Sequence, residues 1–334
     1  MIIRQNYKEF LSQNFDPANC FVITDQNLYE IYGDFINKFN HFVVKPGEIS
    51  KSFETVQQII ERLVDLNLSR KSVLIGFGGG VVCDLTGFVA SIYKRGVRHS
   101  FIPTSLLAMV DAAYGGKTAI NFSGIKNLVG TFKDAELINI DISLLDTLPH
   151  EHFTNAMAEV IKTALVGDVE LYEYLLAANP DSIDIDRVIQ SCLEFKLQIV
   201  EHDMFDTGMR QILNFGHTFG HAFEAQMNIH HGQAVAMGIE AAIFLSENLS
   251  DIDKNHILGL LNKYKLGNYA FPKFSEIKDF LNNDKKISSK IKFVLLKKIG
   301  NPYIAEYELQ EIEEVYDDLR INRNRRQSQT ERIH

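Results

Sequence analysis

The sequence predicts an α/β domain with a parallel sheet, followed by a mostly helical domain. Two observations in this 334-residue chain support that fold class. In residues 1–149, short apolar runs rich in β-branched side chains alternate with amphipathic stretches, as in sheets whose strands are joined by helices. From residue 150 to residue 322, helical periodicity dominates, and polar or Pro/Gly breaks separate the segments. Residues 323–334 are expected to form a polar tail.

The elements of the first domain follow from local patterns. Helices are predicted at 53–68 and 81–93, and strands at 20–24, 41–44, 72–76, 100–102 and 137–140. The strand at 20–24 ends at Asp25, and the strand at 72–76 ends at a run of glycines. Because parallel α/β sheets bind ligands beyond the carboxyl ends of their strands, we expect a ligand near these positions.

The second domain is predicted to contain six helices and one short strand. The strand covers 291–296, and the helices cover 150–166, 169–176, 186–202, 210–227, 233–248 and 253–264. The end of the chain, from residue 320, is polar and includes Arg323. A frayed, solvated end is a better interpretation of this segment than an arm that binds nucleic acid.

Composition excludes several classes of function. The formal charge of −9 and the pI near 5.7 argue against a general binder of nucleic acid or anionic membranes. The three cysteines are widely spaced and form no CxxC, which favours reduced thiols over a disulfide scaffold. The start of the chain lacks the apolar stretch of a signal peptide, and no apolar run approaches the length of a membrane span. We expect a soluble, cytoplasmic protein.

Glu159, His217 and His231 form the most informative set of residues. One carboxylate with two imidazoles is the ligand set of a catalytic zinc site. His221 lies four residues after His217 on the same predicted helical face, so spacing alone leaves it open as a ligand. An ordinary salt bridge is the alternative explanation for Glu159 and Lys162, which are three residues apart. The glycines flanking the histidines favour a metal, because they let other backbone approach.

A glycine-rich turn from Gly76 to Gly80 follows a predicted strand and opens a helix. Such turns let a pyrophosphate approach backbone N–H groups at the positive end of a helix. The match to the dinucleotide fingerprint is imperfect, because Cys83 occupies the third glycine position. A structural tight turn is an equally good explanation. Asp25 and Asn27 are alternatives for binding a ribose, or they cap a helix.

Several cations and amides stand where packing does not require them. Asp111 interrupts an apolar helical run, and Lys117 follows a Gly-Gly turn from which an ammonium can reach an anion. Surface lysines and a satisfied core aspartate are the alternative, which is stronger for Lys126 than for Lys117. The spacing of Arg210, Asn214 and His217 predicts that all three project from one helical face. The ordinary salt bridge that is the alternative for Glu159 and Lys162 is also the alternative explanation for Lys196, Asp206, Arg210 and Asn214.

Together, these motifs resemble the 3-dehydroquinate synthase family of sugar-phosphate cyclases. The likeness runs from about residue 25 to residue 286, and so many ordered motifs make it highly specific. Its markers are GGGVVCD (78–84), KRG (94–96), PTSLLAMVD (103–111), GGKT (115–118), KNLVGTF (126–132), AEVIK (158–162), GMRQILNFGHTFGHAFE (208–224), HGQAVAMG (231–238) and DKK (284–286).

The resemblance implies a Rossmann-like NAD-binding domain at 1–149 and a helical domain for metal and substrate at 150–322. It implies a homodimeric enzyme with NAD and Zn²⁺, for which Co²⁺ can substitute. This enzyme converts 3-deoxy-D-arabino-heptulosonate 7-phosphate to 3-dehydroquinate and phosphate in the shikimate route to chorismate and aromatic amino acids. The implied steps are transient oxidation, phosphate elimination, reduction and aldol closure of the ring.

The resemblance also assigns roles to residues. It makes Glu159, His217 and His231 the metal ligands, which leaves His221 for the substrate. The residues implied to contact NAD are Asp25, Asn27, Glu48, Lys51, Gly79, Gly80, Val81, Asp84, Thr104, Ser105 and Lys126. Those implied to contact the substrate are Asp111, Lys117, Asn127, Lys162, Lys196, Arg210, Asn214, His221 and Lys285 or Lys286. Arg95 is implied to reach the substrate phosphate of a neighbouring subunit.

The chain departs from the family pattern at Cys83, Ala112-Ala113, His152 and Asp206, and the loop between His217 and His231 is short. These departures concern the NAD contacts and the mouth of the metal site. The AEVIK, GGKT and RxxLN motifs favour the lead activity, and two others stay open: a sister cyclase such as 2-deoxy-scyllo-inosose synthase, and a metal-dependent dehydrogenase of the glycerol type. A third hypothesis is a binding protein without activity. The intact Glu159, Lys162, His217 and His231 argue against it.

Overall fold

The computed structural model describes residues 1–283 and 290–330, which divide into two compact units. The first unit is Met1–Pro149 with Lys196–Phe205, and the second is His150–Phe195 with Asp206–His334. Residues Lys196–Phe205, expected in the helical domain, therefore group with the α/β unit. Among the described residues, no helix combines the length and the hydropathy needed to span a bilayer.

The first unit contains a parallel sheet of six strands. Its strands follow the order β1-β8-β5-β4-β2-β3, and every neighbouring pair is parallel. All five predicted strands are present, and the short β1 is an addition. The strands of the unit are β1 (Ile2–Arg4), β2 (Cys20–Asp25), β3 (Asn40–Val44), β4 (Val73–Gly78), β5 (Arg98–Pro103), β6 (Lys117–Phe122), β7 (Ile125–Phe132) and β8 (Leu137–Ile140).

The helices of this unit pack on the sheet through apolar faces. In α3, Ser52 accepts a hydrogen bond from the Thr55 N–H, which starts the helix at Phe53. Val56, Ile59 and Leu63 are then buried at helical spacing, and each contributes about 1.5–3 kcal/mol by leaving water. The helices are α1 (Tyr7–Asn14), α2 (Gln26–Ile36), α3 (Phe53–Asp65) and α4 (Gly80–Ile92).

Strands β6 and β7 form a separate antiparallel hairpin that the sequence analysis did not predict. Ser123 and Gly124 join them with φ angles of 52° and 78°. A two-residue turn with positive φ at both positions matches the twist of a hairpin. The hairpin carries Lys117 at its start and Lys126 and Asn127 near its tip.

The second unit is helical, as predicted, with one antiparallel hairpin. Its elements are α5 (His150–Val166), α6 (Val169–Ala177), α7 (Ile185–His202), α8 (His217–Met227), α9 (His231–Leu245), α10 (Asp251–Lys263), α11 (Phe274–Asn283), β9 (Ile291–Lys298), β10 (Asn301–Tyr307) and α12 (Leu309–Thr330). The last residues of α7 belong to the first unit.

The prediction of one continuous helix at 210–227 is wrong. Residues Met209–Asn214 form a 3₁₀ segment, and α8 begins only at His217. Gly216, with φ of 79°, adopts the left-handed conformation that ends one helix and reorients the chain. Arg210, Asn214 and His217 therefore do not share one helical face.

The expectation of a frayed end from residue 320 is also wrong for the described residues. Helix α12 continues to Thr330, and Arg323 is buried. Its Nε atom donates to Glu240 Oε2 at 2.6 Å, and its other nitrogens donate to the carbonyls of Gly267 and Tyr269. The guanidinium also lies 4.5 Å from the centre of the Phe271 ring. These contacts anchor helix α12 at Arg323, although the sequence of this helix is polar.

Candidate active site

Close backbone packing in the second unit brings Glu159, His217 and His231 together. Glu159 is on α5, and the two histidines open α8 and α9. A Cβ atom at Gly238 would collide with the Gly216 carbonyl, and one at Gly232 with the Asn155 carbonyl. The glycines thus allow α9 to approach both α8 and α5, as the sequence suggested.

The three side chains have the geometry of a metal site. The Nε2 atoms of His217 and His231 lie 3.2 Å and 3.3 Å from Glu159 Oε1, and the ligand atoms of all three residues lie within 4.8 Å of one another. In a tetrahedral zinc site with bonds of about 2.0–2.1 Å, neighbouring ligand atoms are about 3.3–3.4 Å apart. The residues therefore fit a tetrahedral divalent cation.

The second nitrogen of each imidazole is already engaged. His217 Nδ1 lies 3.2 Å from the carbonyl oxygen of Phe215, and His231 Nδ1 lies 2.9 Å from Glu224 Oε2. A proton on Nδ1 leaves Nε2 with a lone pair, so these contacts orient both rings for ligation through Nε2.

The charges around Glu159 favour its ionised form. Burial alone raises the pKa of this carboxyl, but Lys162 and then His217 outweigh burial and hold the pKa well below its usual range. Burial alone likewise lowers the pKa of His231, but hydrogen bonds to Glu159 and Glu224 raise it to about 10. The two carboxylates that stabilise the protonated His231 ring also favour a divalent cation. Such a cation displaces the proton from the ring when it binds.

Lys162 forms the salt bridge that was the alternative interpretation of its spacing. Its Nζ contacts Glu159 Oε2, and both side chains are almost fully buried. The salt bridge and the ligand cluster coexist, because Lys162 contacts one carboxylate oxygen and the histidines contact the other. Arg210 is also buried in this unit, at 3% exposure.

A cavity of about 630 Å³ opens beside the histidines in the second unit. Asn214, His217 and His221 line it, so these residues share a cavity although they do not share a helix. Desolvation and then the charges of His217 and His231 lower the pKa of His221 to about 4. The group of described residues that could hold a metal ion consists of Glu159, His217 and His231 and does not include His221. The rest of the lining comes from Asp206, Gln211, Thr218, Lys290, Ile291, Lys292, Phe293, Val294, Ile304 and Glu306.

In the first unit, the residues implied to contact NAD, except Lys126 on the hairpin, lie at or after the carboxyl ends of four neighbouring strands. Asp25 ends β2, Glu48–Ser50 follow β3, Gly79 and Gly80 follow β4, and Thr104 and Ser105 follow β5. The carboxyl ends of parallel strands meet at one edge of a sheet, where α/β folds bind ligands. Asp25 accepts a hydrogen bond from the Leu28 N–H at 3.1 Å, so it also has the helix-cap role that was its alternative.

The glycine turn opens α4 without a side-chain cap. Gly79 is the N-cap residue, and no side chain bonds the first N–H groups of the helix. A Cβ atom at Gly80 would lie 3.3 Å from the Ala112 Cβ, and one at Gly79 would lie 3.2 Å from Ser105 Oγ. Cys83, at the third glycine position, packs in the core with 1% exposure. A helix start of this kind suits an anion.

Lys51 lies at the centre of a polar network in the first unit. Its ammonium donates to Asp84 Oδ2 at 2.6 Å and to Asn127 Oδ1. Burial raises the pKa of Asp84 to about 6, although the charge of Lys51 acts against that shift. The network joins two residues implied to contact NAD with one implied to contact the substrate.

Lys196 and Asp111 form a second, partly buried pair in this unit, in which the lysine is buried and the aspartate is about one third exposed. Lys196 Nζ lies 2.7 Å from Asp111 Oδ1 and also donates to the Asp111 carbonyl at 2.5 Å. Asp111 lies in a π-helical turn, Ala108–Ala112, a type of turn that is frequent at functional sites. This pair gives a physical reason why Lys196–Phe205 groups with the first unit.

Six implied residues of the first unit are exposed, and one further position lies outside the described residues; the six are Asn27, Glu48, Arg95, Lys117, Lys126 and Asn127. Lys117 and Lys126 are exposed on the β6–β7 hairpin, and Arg95 is exposed in a turn with φ of 66°. Lys286, like Lys285, falls in the segment 284–289, of which the structure gives no description.

Two residues that contact the candidate sites, Glu224 and Asn121, were not predicted from the sequence. Glu224 bonds His231, and its position seven residues after His217 on α8 was a usable signal, because that spacing returns to the same helical face. Asn121 bonds both Glu48 and Asn127. Its role depends on the hairpin, so no local pattern revealed it.

Comparisons with known proteins agree with this geometry. The 3-dehydroquinate synthase N-terminal and C-terminal families match residues 41–155 and 156–287. A 3-dehydroquinate synthase from Clostridium tetani is 40% identical over 333 residues, covering 89% of this chain and 88% of the relative.

Solved structures show the same fold. The 2-epi-5-epi-valiolone synthase of Streptomyces hygroscopicus subsp. jinggangensis, with NAD⁺ and Zn²⁺ bound, has a TM-score of 0.86 at 24% identity over 96% of each chain. A probable glycerol dehydrogenase from Sinorhizobium meliloti has a TM-score of only 0.62 at 12% identity, again over 96% of each chain.

The parallel-sheet unit and the helical unit that carries the Glu–His–His cluster define a class of α/β-plus-helical proteins with a candidate metal site. More narrowly, the chain belongs to the 3-dehydroquinate synthase family.

Proposed function

We propose that the chain converts 3-deoxy-D-arabino-heptulosonate 7-phosphate to 3-dehydroquinate and phosphate, with NAD⁺ and Zn²⁺ as cofactors. The observation that supports it most is the Glu159–His217–His231 cluster in a member of this family. Zn²⁺ held by these residues would polarise substrate hydroxyls as a Lewis acid, and NAD⁺ would accept and return a hydride. Co²⁺ would serve in place of Zn²⁺, since imidazole and carboxylate ligands suit both ions.

In this proposal, the residues of the second unit bind and orient the substrate beside the metal ligands. Lys162, fixed by its bond to Glu159, places a positive charge next to the metal ligands. His221 and Asn214 face the cavity beside the cluster and supply hydrogen bonds to the substrate. Arg210 supplies a positive charge for a substrate anion. Positioned cations and hydrogen-bond donors lower the barrier mainly through orientation and electrostatics.

The residues of the first unit bind NAD and further parts of the substrate. The N-terminus of α4 has no side-chain cap and suits the pyrophosphate, since the first N–H groups of a helix can donate hydrogen bonds to an anion. Asp25 and Asn27 stand at the carboxyl end of β2 and Thr104 at that of β5, the two strands on either side of β4, where α/β sheets bind ligands. Asp111 orients Lys196 towards the substrate. Lys117, Lys126 and Asn127 act from the hairpin, and Val81, Ser105, Glu48, Lys51 and Asp84 complete the NAD set.

A turnover assay with product identification tests the activity. Purified protein with the heptulosonate phosphate, NAD⁺ and Zn²⁺ should release phosphate and form 3-dehydroquinate, with no net increase in NADH absorbance. A dehydrogenase of the glycerol type would instead accumulate NADH with glycerol. A sister cyclase would release phosphate from another sugar phosphate but not from this one.

We also propose a homodimer in the cytoplasm. The three cysteines lie in the described part of the chain and are buried thiols that form no disulfide, which suits a reducing compartment. If Arg95 serves the partner's substrate, mixing Arg95→Ala with His217→Ala should restore about one quarter of wild-type activity, because random exchange gives one intact site in half of the dimers. Sedimentation as a monomer at assay concentrations would contradict the dimer, and no recovery after subunit exchange would contradict the role of Arg95 in the partner's site.

A further inference from the structure

Asn121 lies where the β6–β7 ladder opens. The register pairs Ile120 with Val129 and Phe122 with Ile125, so residues 126–128 stand opposite this single asparagine. The Asn121 N–H donates instead to the carbonyl oxygen of Lys51 at 2.8 Å. Such irregularities in a ladder commonly re-aim side chains near functional sites.

The carboxamide of Asn121 connects two segments. Its Oδ1 atom accepts a hydrogen bond from the Asn127 N–H at 2.9 Å. Its Nδ2 atom donates to Glu48 Oε2 at 2.9 Å, with a longer bond of 3.4 Å to the Glu48 carbonyl. Both the acceptor and the donor of the amide are thus used, and only Asn or Gln carries both on one planar group.

Asn121 holds Asn127 in a conformation that the chain seldom adopts. Asn127 has φ of 53°, which is left-handed and tolerated by asparagine better than by most residues. In this conformation its Oδ1 accepts from Lys51, while Lys51 also bonds Asp84. With its oxygen bound to an ammonium, the Asn127 amide presents its NH₂ donors to a ligand.

We propose that Asn121 is a positioning residue that holds Glu48 and Lys51 in fixed register with Asn127. The inference rests on the proposed function, which gives Glu48 and Lys51 to NAD and Asn127 to the substrate. Asn121 contacts neither ligand. It couples the two binding events, because one rigid amide sets the position of residues that serve each of them.

The first test compares Asn121→Ala with Thr131→Ala. Thr131 is the matched control, since its hydroxyl lies 2.9 Å from Thr118 Oγ1 across the same hairpin and away from the network. Asn121→Ala should raise both the Kd for NAD⁺, measured by calorimetry, and the substrate KM by about tenfold. Thr131→Ala should change either constant less than about twofold.

The second test uses Asn121→Asp, Glu48→Gln and the double variant. Asp keeps the acceptor for the Asn127 N–H but places a carboxylate against Glu48. It should therefore weaken NAD⁺ binding while substrate KM changes little. In the double variant, the Gln at position 48 can donate a hydrogen bond to the Asp at position 121. The hydrogen bond between the two positions is thereby restored with donor and acceptor exchanged. The loss of NAD⁺ affinity should then be smaller than the product of the two single losses.

Two results would overturn the inference: equal kinetic effects of Asn121→Ala and Thr131→Ala, or strictly multiplicative losses in the cycle. If Asn121 only stabilised the fold, its variants would lower the melting temperature. Asn121→Asp would then not affect NAD⁺ binding more than the substrate KM. The NAD⁺ arm needs no turnover. Failure of wild type to form 3-dehydroquinate would therefore count against the proposed function alone.

Discussion

The Nδ1 atom of His231 lies 2.9 Å from the Glu224 carboxylate, while Nε2 of the same ring lies 3.3 Å from Glu159. Carboxylates thus contact both nitrogens of one imidazole, and only one of those carboxylates belongs to the ligand cluster. Glu224 fixes the ring orientation and increases the basicity of the ligating nitrogen.

Glu224→Gln should weaken zinc binding by about 10–100-fold, because a neutral amide supports the imidazole less well. Competition with a chelator measures the change. Glu151→Gln is the matched control, since Glu151 pairs with the exposed His230 at 3.0 Å outside the cluster. Equal zinc affinities for the two variants would show that Glu224 does not act through the metal site.

His217→Ala should lose both zinc and activity, because two ligands do not hold the ion in a tetrahedral site. The first unit contains none of the three ligands and should stay folded. Metal analysis and circular dichroism of the purified variant check both expectations. An unchanged zinc stoichiometry would refute the ligand assignment.

Activity should fall as the pH drops through about 6, the pKa to which burial raises Asp84. Below that pH the Asp84 carboxyl is protonated, so it no longer supplies the negative charge that holds the Lys51 ammonium. Glu48 and Lys196 are the other charged groups that act on the Asp84 pKa. The acid limb of kcat/KM should therefore disappear in Asp84→Asn, leaving low activity that does not vary with pH in this range.

Stability should respond to Asp84 in the opposite direction. Its folded pKa is above the unfolded value, so the folded chain binds this proton more tightly, and the contribution of Asp84 to stability decreases as pH rises from about 4 to 6. Unfolding measured across this range in wild type and Asp84→Asn separates the two effects. If activity and stability both decreased in acid, and did so equally in wild type and in Asp84→Asn, a group other than Asp84 would cause the pH dependence.

Arg323→Ala should lower the free energy of unfolding by about 3 kcal/mol, because it leaves Glu240 without its buried partner. Urea denaturation measures the loss. In the control, Arg320→Ala removes a more exposed helical pair with Asp317 at 3.5 Å, which is worth about 0.5 kcal/mol or less. Similar losses for both variants would mean that Arg323 does not anchor α12.

Local patterns in the sequence predicted much of the fold. Strand β8 and helix α5 have the predicted bounds, because a buried strand and a long helix with clear ends leave strong periodic signals. The β6–β7 hairpin was missed, since few of its residues are buried and its alternation is weak. The break at Gly216 was missed because a helical pattern continues on both sides of it.

The sequence by itself determined which residue types were available for the chemistry: one carboxylate, two imidazoles and a set of cations at characteristic spacing. Tertiary structure decided which atoms meet. Glycines that admit a second backbone bring His217 and His231 to Glu159, and an opened ladder turns Asn121 towards Glu48 and Asn127. The reason is physical: periodicity records which face of an element is buried, whereas contacts between distant segments depend on packing distances that no local pattern encodes.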